Sequence, residues 1–173
     1  MLNPVYEMIA SKPKKSLKSW RRTISGDELS ERVRRTLVAT LYTNPFSLAI
    51  GAANGTVAGA ITAIFAPHPA IIACVVALTI VGIARVVSAM ALANSNSATT
   101  RMLEVVYEIG AFSYALLYGL LGALVIIVPT PQTVEVLMVA SALCYGMAIA
   151  ARNAGRPIIA LGQMGLNFLP VFI

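Results

Sequence analysis

Residues 46–66 read FSLAIGAANGTVAGAITAIFA, and this uncharged stretch decides the fold. An α-helix rises 1.5 Å per residue, so these 21 residues can cross a hydrocarbon layer roughly 30 Å thick. Gly51, Gly55 and Gly59 recur at four-residue spacing and therefore share one helix face. Helices in lipid associate through close backbone approach, which small residues permit. The stretch therefore predicts a transmembrane helix whose glycine face packs against a neighbour.

The composition extends this prediction to most of the chain. Hydrophobic residues make up 58% of the 173 residues and charged residues only 12%, whereas soluble domains carry about 25% charged residues. A multi-pass membrane protein is the simplest class with this composition. We expect one transmembrane helical domain over residues 45–173, preceded by a cytoplasmic basic tail over residues 1–44.

The tail holds most of the positive charge. Nine of the 13 Lys and Arg residues precede residue 40, and the net charge is +6. A basic segment beside a membrane span usually faces anionic cytoplasmic lipids, so we expect those lipids as a partner. Basic residues around Trp20 fit the headgroup region, with a solvated tail as the alternative. We expect no nucleic-acid binding, because no recognised motif accompanies the charge.

A short amphipathic helix is predicted within this tail. Ser25 followed by Glu28 matches a capping box, and a helix over residues 27–42 follows. Its apolar residues recur every four positions: Leu29, Val33, Leu37 and Leu41. Such a helix lies on the cytoplasmic membrane surface.

Further apolar stretches predict the rest of an all-α bundle. We expect spans over residues 70–93, 109–128 and 134–151, and a truncated fifth span from Ile158 to Ile173. The turns between the first and second spans and between the third and fourth contain no Lys or Arg. With a cytoplasmic N-terminus, every Lys and Arg then follows the positive-inside rule.

Charged residues near the spans are expected at the cytoplasmic end. Arg85 lies within the second span and should face headgroups or a carboxylate on that side. Glu104 and Glu108 are four residues apart on one helix face, so they repel and need water or a cation. A structural ion pair is the favoured interpretation, and a proton relay is the alternative. The predicted cluster comprises Arg85, Arg101, Glu104, Glu108, Arg152 and Arg156.

Polar residues within the spans suggest a second feature. They fall between the cytoplasmic interface and the midplane in the predicted topology, as expected for the lining of a ligand pocket. Hydrogen bonding between helices is the favoured alternative, since polar side chains commonly join helices in membranes. The set comprises Asn54, Tyr114, Tyr118, Tyr145, Gln163 and Asn167.

No motif in the sequence indicates catalysis. It contains no P-loop, GxGxxG, HExxH or nucleophile elbow. Cys74 and Cys144 lie in separate apolar stretches without metal-site spacing, and we expect no disulfide. His68, between two prolines, is expected in a turn. We therefore expect no enzymatic activity, cofactor or metal in this chain.

Three segments resemble a known family. They are LYTNP at Leu41–Pro45 ahead of the small-residue helix near Gly51, VGIAR at Val81–Arg85, and ARNAGRP at Ala151–Pro157 followed by IIALGQ at Ile158–Gln163. The last is the most specific. Residues 37–173 resemble the N-terminal membrane region of bacterial diguanylate cyclases, the GGDEF-domain signalling proteins, some of which add an EAL domain.

The resemblance implies a function carried out with another segment. Such proteins continue into a cytoplasmic domain that condenses two GTP into cyclic di-GMP, and this sequence lacks that domain and its GGDEF loop. It implies a multi-pass sensory or anchoring domain in the bacterial inner membrane, a homodimer, and a cytoplasmic output domain as partner. The alternatives are a small transporter or channel subunit and a passive membrane anchor.

Overall fold

The structure is a computed structural model that describes residues 45–93, 100–153 and 155–172. The described residues form five α-helices: α1 (Pro45–Phe65), α2 (Pro69–Ala93), α3 (Thr100–Ile127), α4 (Gln132–Arg152) and α5 (Pro157–Phe168). A 3₁₀ turn, Leu169–Val171, follows α5. The prediction of an all-α helical bundle is confirmed. The predicted tail and its amphipathic helix, residues 1–44, lie outside the described residues.

Four of the helices are long and apolar enough to span a membrane. They cover Phe46–Phe65, Pro69–Leu92, Arg101–Ile127 and Gln132–Arg152. The chain therefore has the character of a multi-pass membrane protein. The final apolar helical segment, Pro157–Val171, is shorter and lies where a fifth span was predicted from Ile158.

Helix α3 is the central element of the bundle. It packs against α2, α4, α5 and the 3₁₀ turn, and more weakly against α1, which lies mainly on α2 and α4. In the most apolar 18-residue stretch of α3, 44% of the residues are buried, compared with 22–28% in the corresponding stretches of the other three long helices. Helices α1, α3 and α5 begin at the end of the bundle where α2 and α4 finish. We call this the cationic end, because Arg101, Arg152 and Arg156 lie there.

Local sequence explains the helix boundaries. His68 caps α2, since its Nδ1 accepts a hydrogen bond from the Ala70 amide at 3.3 Å. The Thr130 hydroxyl donates to the Val125 carbonyl at 2.9 Å and so satisfies the C-terminus of α3. Helix α5 begins at Pro157, a residue suited to the first helical position. His68 lies in a turn, as its flanking prolines predict.

An apolar core fills the half of the bundle opposite the cationic end. Its side chains come from α2, α3 and α4, and several are fully buried: Ile71, Leu78, Leu121, Val125 and Met138. Nearer the cationic end, a second apolar cluster that includes Ala89 and Ala111 lies beside polar and aromatic side chains. Asn153 and Gln163 are buried at that end, whereas Thr62 and Asn167 are buried farther from it.

The glycine face of α1 packs at two of its three positions. A Cβ on Gly55 would lie 2.8 Å from Tyr118 Cε2, and one on Gly59 would lie 3.2 Å from the Val75 methyl groups. Gly51 has no atom within 4 Å of such a Cβ. Gly55 and Gly59 thus let α2 and α3 approach α1, whereas Gly51 borders an open space.

Candidate functional site

A hydrogen-bonded chain of side chains joins three elements at the cationic end. The Tyr107 hydroxyl of α3 donates to Asn153 Oδ1 at 3.0 Å. Asn153 Nδ2 donates to Gln163 Oε1 at 2.7 Å, and Gln163 Nε2 donates to the Ala111 carbonyl at 3.1 Å. All three side chains are buried. The chain fixes the α4–α5 turn and α5 against α3.

Two arginines flank this chain. Arg152 Nε donates to the Tyr107 hydroxyl at 3.3 Å, and Arg152 also contacts the Ser47 hydroxyl across the gap to α1. Arg156 forms an ion pair with Glu104 of α3. The two side chains of that pair are only 14% and 17% exposed, so solvent screens it less than a surface pair. Arg152 is the last residue of α4 and Arg156 directly precedes α5, so the turn between the two helices positions both arginines.

Three tyrosines form a cluster deeper in the bundle. The Tyr118 and Tyr145 rings stack with centroids 5.0 Å apart, and Tyr114 lies 5.4 Å from Tyr145. The Tyr114 hydroxyl donates to the Gly51 carbonyl at 3.2 Å. The Tyr118 and Tyr145 hydroxyls are buried, and neither makes a hydrogen bond of normal geometry among the described residues. Ser141 lies beside the Tyr118 hydroxyl and Arg85 beside the Tyr145 hydroxyl.

Arg85 lies against this tyrosine cluster. Its guanidinium carbon is 5.1 Å from the centroid of the Tyr114 ring, a cation–π distance. A Cβ on Gly110 would lie 2.8 Å from Arg85 Cγ, so the glycine leaves room for the arginine stem. We expected Arg85 to face headgroups or a carboxylate. Instead its guanidinium faces an aromatic ring, and within the described residues Arg85 forms no ion pair.

A cavity of about 520 Å³ lies between these groups. Its volume falls in the range of small-molecule sites. Ser47, Ala148 and Ala151 on its rim are exposed, so it opens between α1 and α4. Leu48, Ala52 and Ile149 form apolar walls. The polar lining comprises Ser47, Arg85, Tyr107, Tyr114, Tyr145, Arg152, Asn153 and Gln163.

The structure brings together only part of the predicted polar set. Tyr114, Tyr145 and Gln163 line the cavity, and Tyr118 stacks behind it. Asn167 is buried further along α5, where its Nδ2 donates to the Ala142 carbonyl at 3.0 Å. Asn54 is exposed on the outside of α1, so its predicted place in the lining was wrong. The reason is geometric, since Asn54 is one residue, or about 100°, away from the inward-facing Gly55.

The predicted charge cluster is also divided. Glu104 pairs with Arg156, Arg152 lies on the cavity, and Arg85 lies deeper beside Tyr114. Glu108 is half-buried on α3 and does not line the cavity. Arg101 is exposed at the start of α3. The six charges therefore share one end of the bundle, where Glu104 and Arg156 form an ion pair.

Sequence reasoning missed three lining residues. Ser47 lies in the first turn of α1, Tyr107 near the start of α3, and Asn153 directly after α4. A signal for Tyr107 was present, because Tyr107, Tyr114 and Tyr118 follow helical spacing on one face of α3. Asn153 stood inside the ARNAGRP segment, but its role depends on the approach of α5, which the sequence did not predict.

Comparisons with known proteins identify no relative. No family model matches the chain, and no curated protein or solved structure is significantly similar to it. Across the described ranges, no group of three or more His, Cys, Asp or Glu residues is placed to hold a metal ion.

Proposed function

We propose that this chain is the membrane-embedded sensory domain of a cyclic di-GMP signalling protein. In this proposal a cytoplasmic diguanylate cyclase domain, absent from this sequence, receives the signal. The cationic end faces the cytoplasm of a bacterial cell across its inner membrane, in accordance with the positive-inside rule. The output domain comes from the family resemblance, whereas the input site comes from the geometry of the cavity.

One observation carries the sensory role. The ARNAGRP segment, which carries the most specific part of the resemblance, forms the α4–α5 turn, and its Arg152 and Asn153 line the cavity. The same turn is bonded to α3 through Tyr107 and to α5 through Gln163. A ligand in the cavity would therefore contact the residues that set the position of α5. It acts by binding one arrangement of α5 more tightly than another.

The transporter alternative has less support. A conducting path needs polar groups or water along the whole span, but side chains such as Leu78, Leu121 and Met138 fill the opposite half of the described bundle.

The anchor alternative accounts for Asn153 and Gln163, whose amides bond each other. It does not account for Arg85 or for the buried Tyr145 hydroxyl.

A homodimer is part of the proposal, as the family resemblance implies. Asn54 supports it, because its amide is exposed near the middle of α1 among apolar residues such as Ile50 and Val57. Polar side chains at this depth favour a hydrogen-bonding partner. A second copy supplies the same amide across a twofold axis. Cysteine substituted at Asn54 should then crosslink two copies in membranes, whereas cysteine at Val136 on exposed α4 should not.

The sensory role can be tested by fusion to an output domain. The full chain is joined through its C-terminus to a diguanylate cyclase domain, and cellular cyclic di-GMP is measured. Arg85→Gln should change the output, and Arg101→Gln, on an exposed arginine at the same end, should not. Equal output from both variants and the unmodified fusion would favour the anchor. The reading frame downstream of Ile173 gives a second test, since the proposal expects it to encode a cyclase domain.

A further inference from the structure

The charged residues that line the cavity are all positive in the described part of the chain. Arg85 and Arg152 both line it, and no Asp or Glu of the described residues does. The nearby Glu104 already pairs with Arg156. Two guanidinium groups therefore face a space that has no described carboxylate on its wall.

This arrangement is costly without an anion. Arg85 lies eight residues before the end of α2, which is about 12 Å along the helix axis. A guanidinium at such depth in a membrane is usually paired with an anion or with backbone carbonyls. Its contact with the Tyr114 ring compensates only part of the desolvation of the charge. A negative group in the cavity would complete the compensation.

The side-chain groups of the cavity that can still form hydrogen bonds are mainly donors. The Asn153 and Gln163 amides are bonded to each other, to Tyr107 and to Ala111. The Tyr145 hydroxyl, in contrast, is buried beside Arg85 and makes no hydrogen bond of normal geometry among the described residues. It can donate, as can the guanidinium of Arg85, which lines the same cavity. An acceptor with several oxygen atoms is therefore the group that fits.

We propose that the cavity between α1 and α4 binds the carboxylate or phosphate group of an amphiphilic anion, with Arg85 and Tyr145 as its main ligands. Leu48, Ala52 and Ile149 contact the apolar part. The inference deepens the proposed function by naming a ligand class, and only its signalling role rests on that function. The opening between α1 and α4 admits a membrane-resident anion, such as a fatty acid or an anionic lipid, or a small soluble anion.

Direct binding to the full chain in phosphatidylcholine nanodiscs tests the inference. The probes are dodecyl phosphate, dodecyl phosphocholine as its zwitterionic counterpart, and inorganic phosphate. Calorimetry should give an affinity about tenfold or more higher for dodecyl phosphate than for dodecyl phosphocholine. Weaker binding of inorganic phosphate would show that the apolar part of the ligand contributes to affinity, whereas equal binding would overturn the amphiphilic part of the proposal. Equal affinity for the two dodecyl probes would overturn the proposal.

Substitutions locate the site. Arg85→Gln should weaken dodecyl phosphate binding by about tenfold or more, since it removes a charged donor. The matched control Arg101→Gln, on an exposed arginine that does not line the cavity, should leave it unchanged. Tyr145→Phe removes a hydroxyl that lies beside Arg85 without a hydrogen bond of normal geometry, so folding should survive and binding should weaken several-fold. Unchanged affinity in Tyr145→Phe, together with unchanged affinity or failed folding in Arg85→Gln, would overturn the assignment.

The two proposals can fail separately. One outcome is that binding depends on charge while dodecyl phosphate leaves the output of the cyclase fusion unchanged. That result would support the anion site and remove its signalling role. Altered output in Arg85→Gln without any binding of the anionic probes would retain the sensory role and remove the anion.

Discussion

Asn153 Nδ2 donates a hydrogen bond to Gln163 Oε1 at 2.7 Å, and this contact holds α5 against the end of α4. Asn153 is 2% exposed and Gln163 is 1% exposed, so water cannot substitute for either partner. The bond lies beside the cavity that we propose as the sensory site. In the proposed function, this bond connects the occupancy of the cavity to the position of α5.

Replacing Gln163 should destabilise the bundle. Gln163→Leu leaves the Asn153 amide and the Ala111 carbonyl without their partners, at a cost of about 1–3 kcal/mol. The free energy of unfolding can be measured by titration with SDS in mixed micelles. Gln132→Leu is the matched control, because Gln132 is exposed at the start of α4. Equal stability of the two variants would contradict the buried chain of bonds.

The close approach of α5 to α3 depends on Gly119. A Cβ there would lie 2.5 Å from the Leu166 carbonyl oxygen and 2.6 Å from that of Asn167. Gly119→Ala should therefore destabilise the fold by about 1–3 kcal/mol, because backbone must move. Gly165→Ala meets nothing within 4 Å and should stabilise α5 by up to about 1 kcal/mol. Thermal unfolding in detergent distinguishes the two, and a neutral Gly119→Ala would show that α5 does not pack there.

The ion pair between Glu104 and Arg156 should be measurable by a double-mutant cycle. Glu104→Gln and Arg156→Gln should each destabilise, and the double variant should lose less than the sum of the two. The coupling should be about 0.5–3 kcal/mol in the free energy of unfolding. The pair is largely buried, so the coupling should persist at high salt. If the losses in the free energy of unfolding were purely additive, the two side chains would not interact.

The tyrosine hydroxyls should differ in their contributions to stability. Tyr114→Phe removes the bond to the Gly51 carbonyl and should cost about 1 kcal/mol. Tyr118→Phe removes a buried hydroxyl whose contact with Ser141 falls short of normal hydrogen-bond geometry, so stability should stay the same or rise. Chemical denaturation of both variants in the same detergent checks this order. A larger loss in Tyr118→Phe would reveal a partner for its hydroxyl.

Much of the fold followed from the sequence. The predicted spans begin and end within a few residues of α1, α2 and α4, because uncharged stretches and prolines such as Pro69 mark the limits. Helix α3, Thr100–Ile127, includes nearly all of the span predicted over residues 109–128. Hydrophobicity and proline positions are local properties, so they can be interpreted without knowing the neighbours.

The site was harder to predict because it depends on how helices face each other. Tyr114, Tyr145 and Gln163 were placed in the right half of the bundle, but Asn54 faces outward. Arg85 was expected to reach toward headgroups, whereas the space over Gly110 lets its side chain turn toward Tyr114. Helix rotation is set by packing, and packing of glycine against tyrosine or arginine is not visible in a single sequence.

Labelling of single cysteines in intact cells tests the central claim most directly, because the cavity can serve a cytoplasmic output only if the cationic end faces the cytoplasm. Cysteine is introduced at His68 and Thr133 for one end, and at Arg101 and Gly155 for the other, in a background without Cys74 and Cys144. An impermeant maleimide should label positions 68 and 133 from outside, and label positions 101 and 155 only after the membrane is permeabilised. Labelling of positions 101 and 155 in intact cells, or of all four positions equally, would contradict the account.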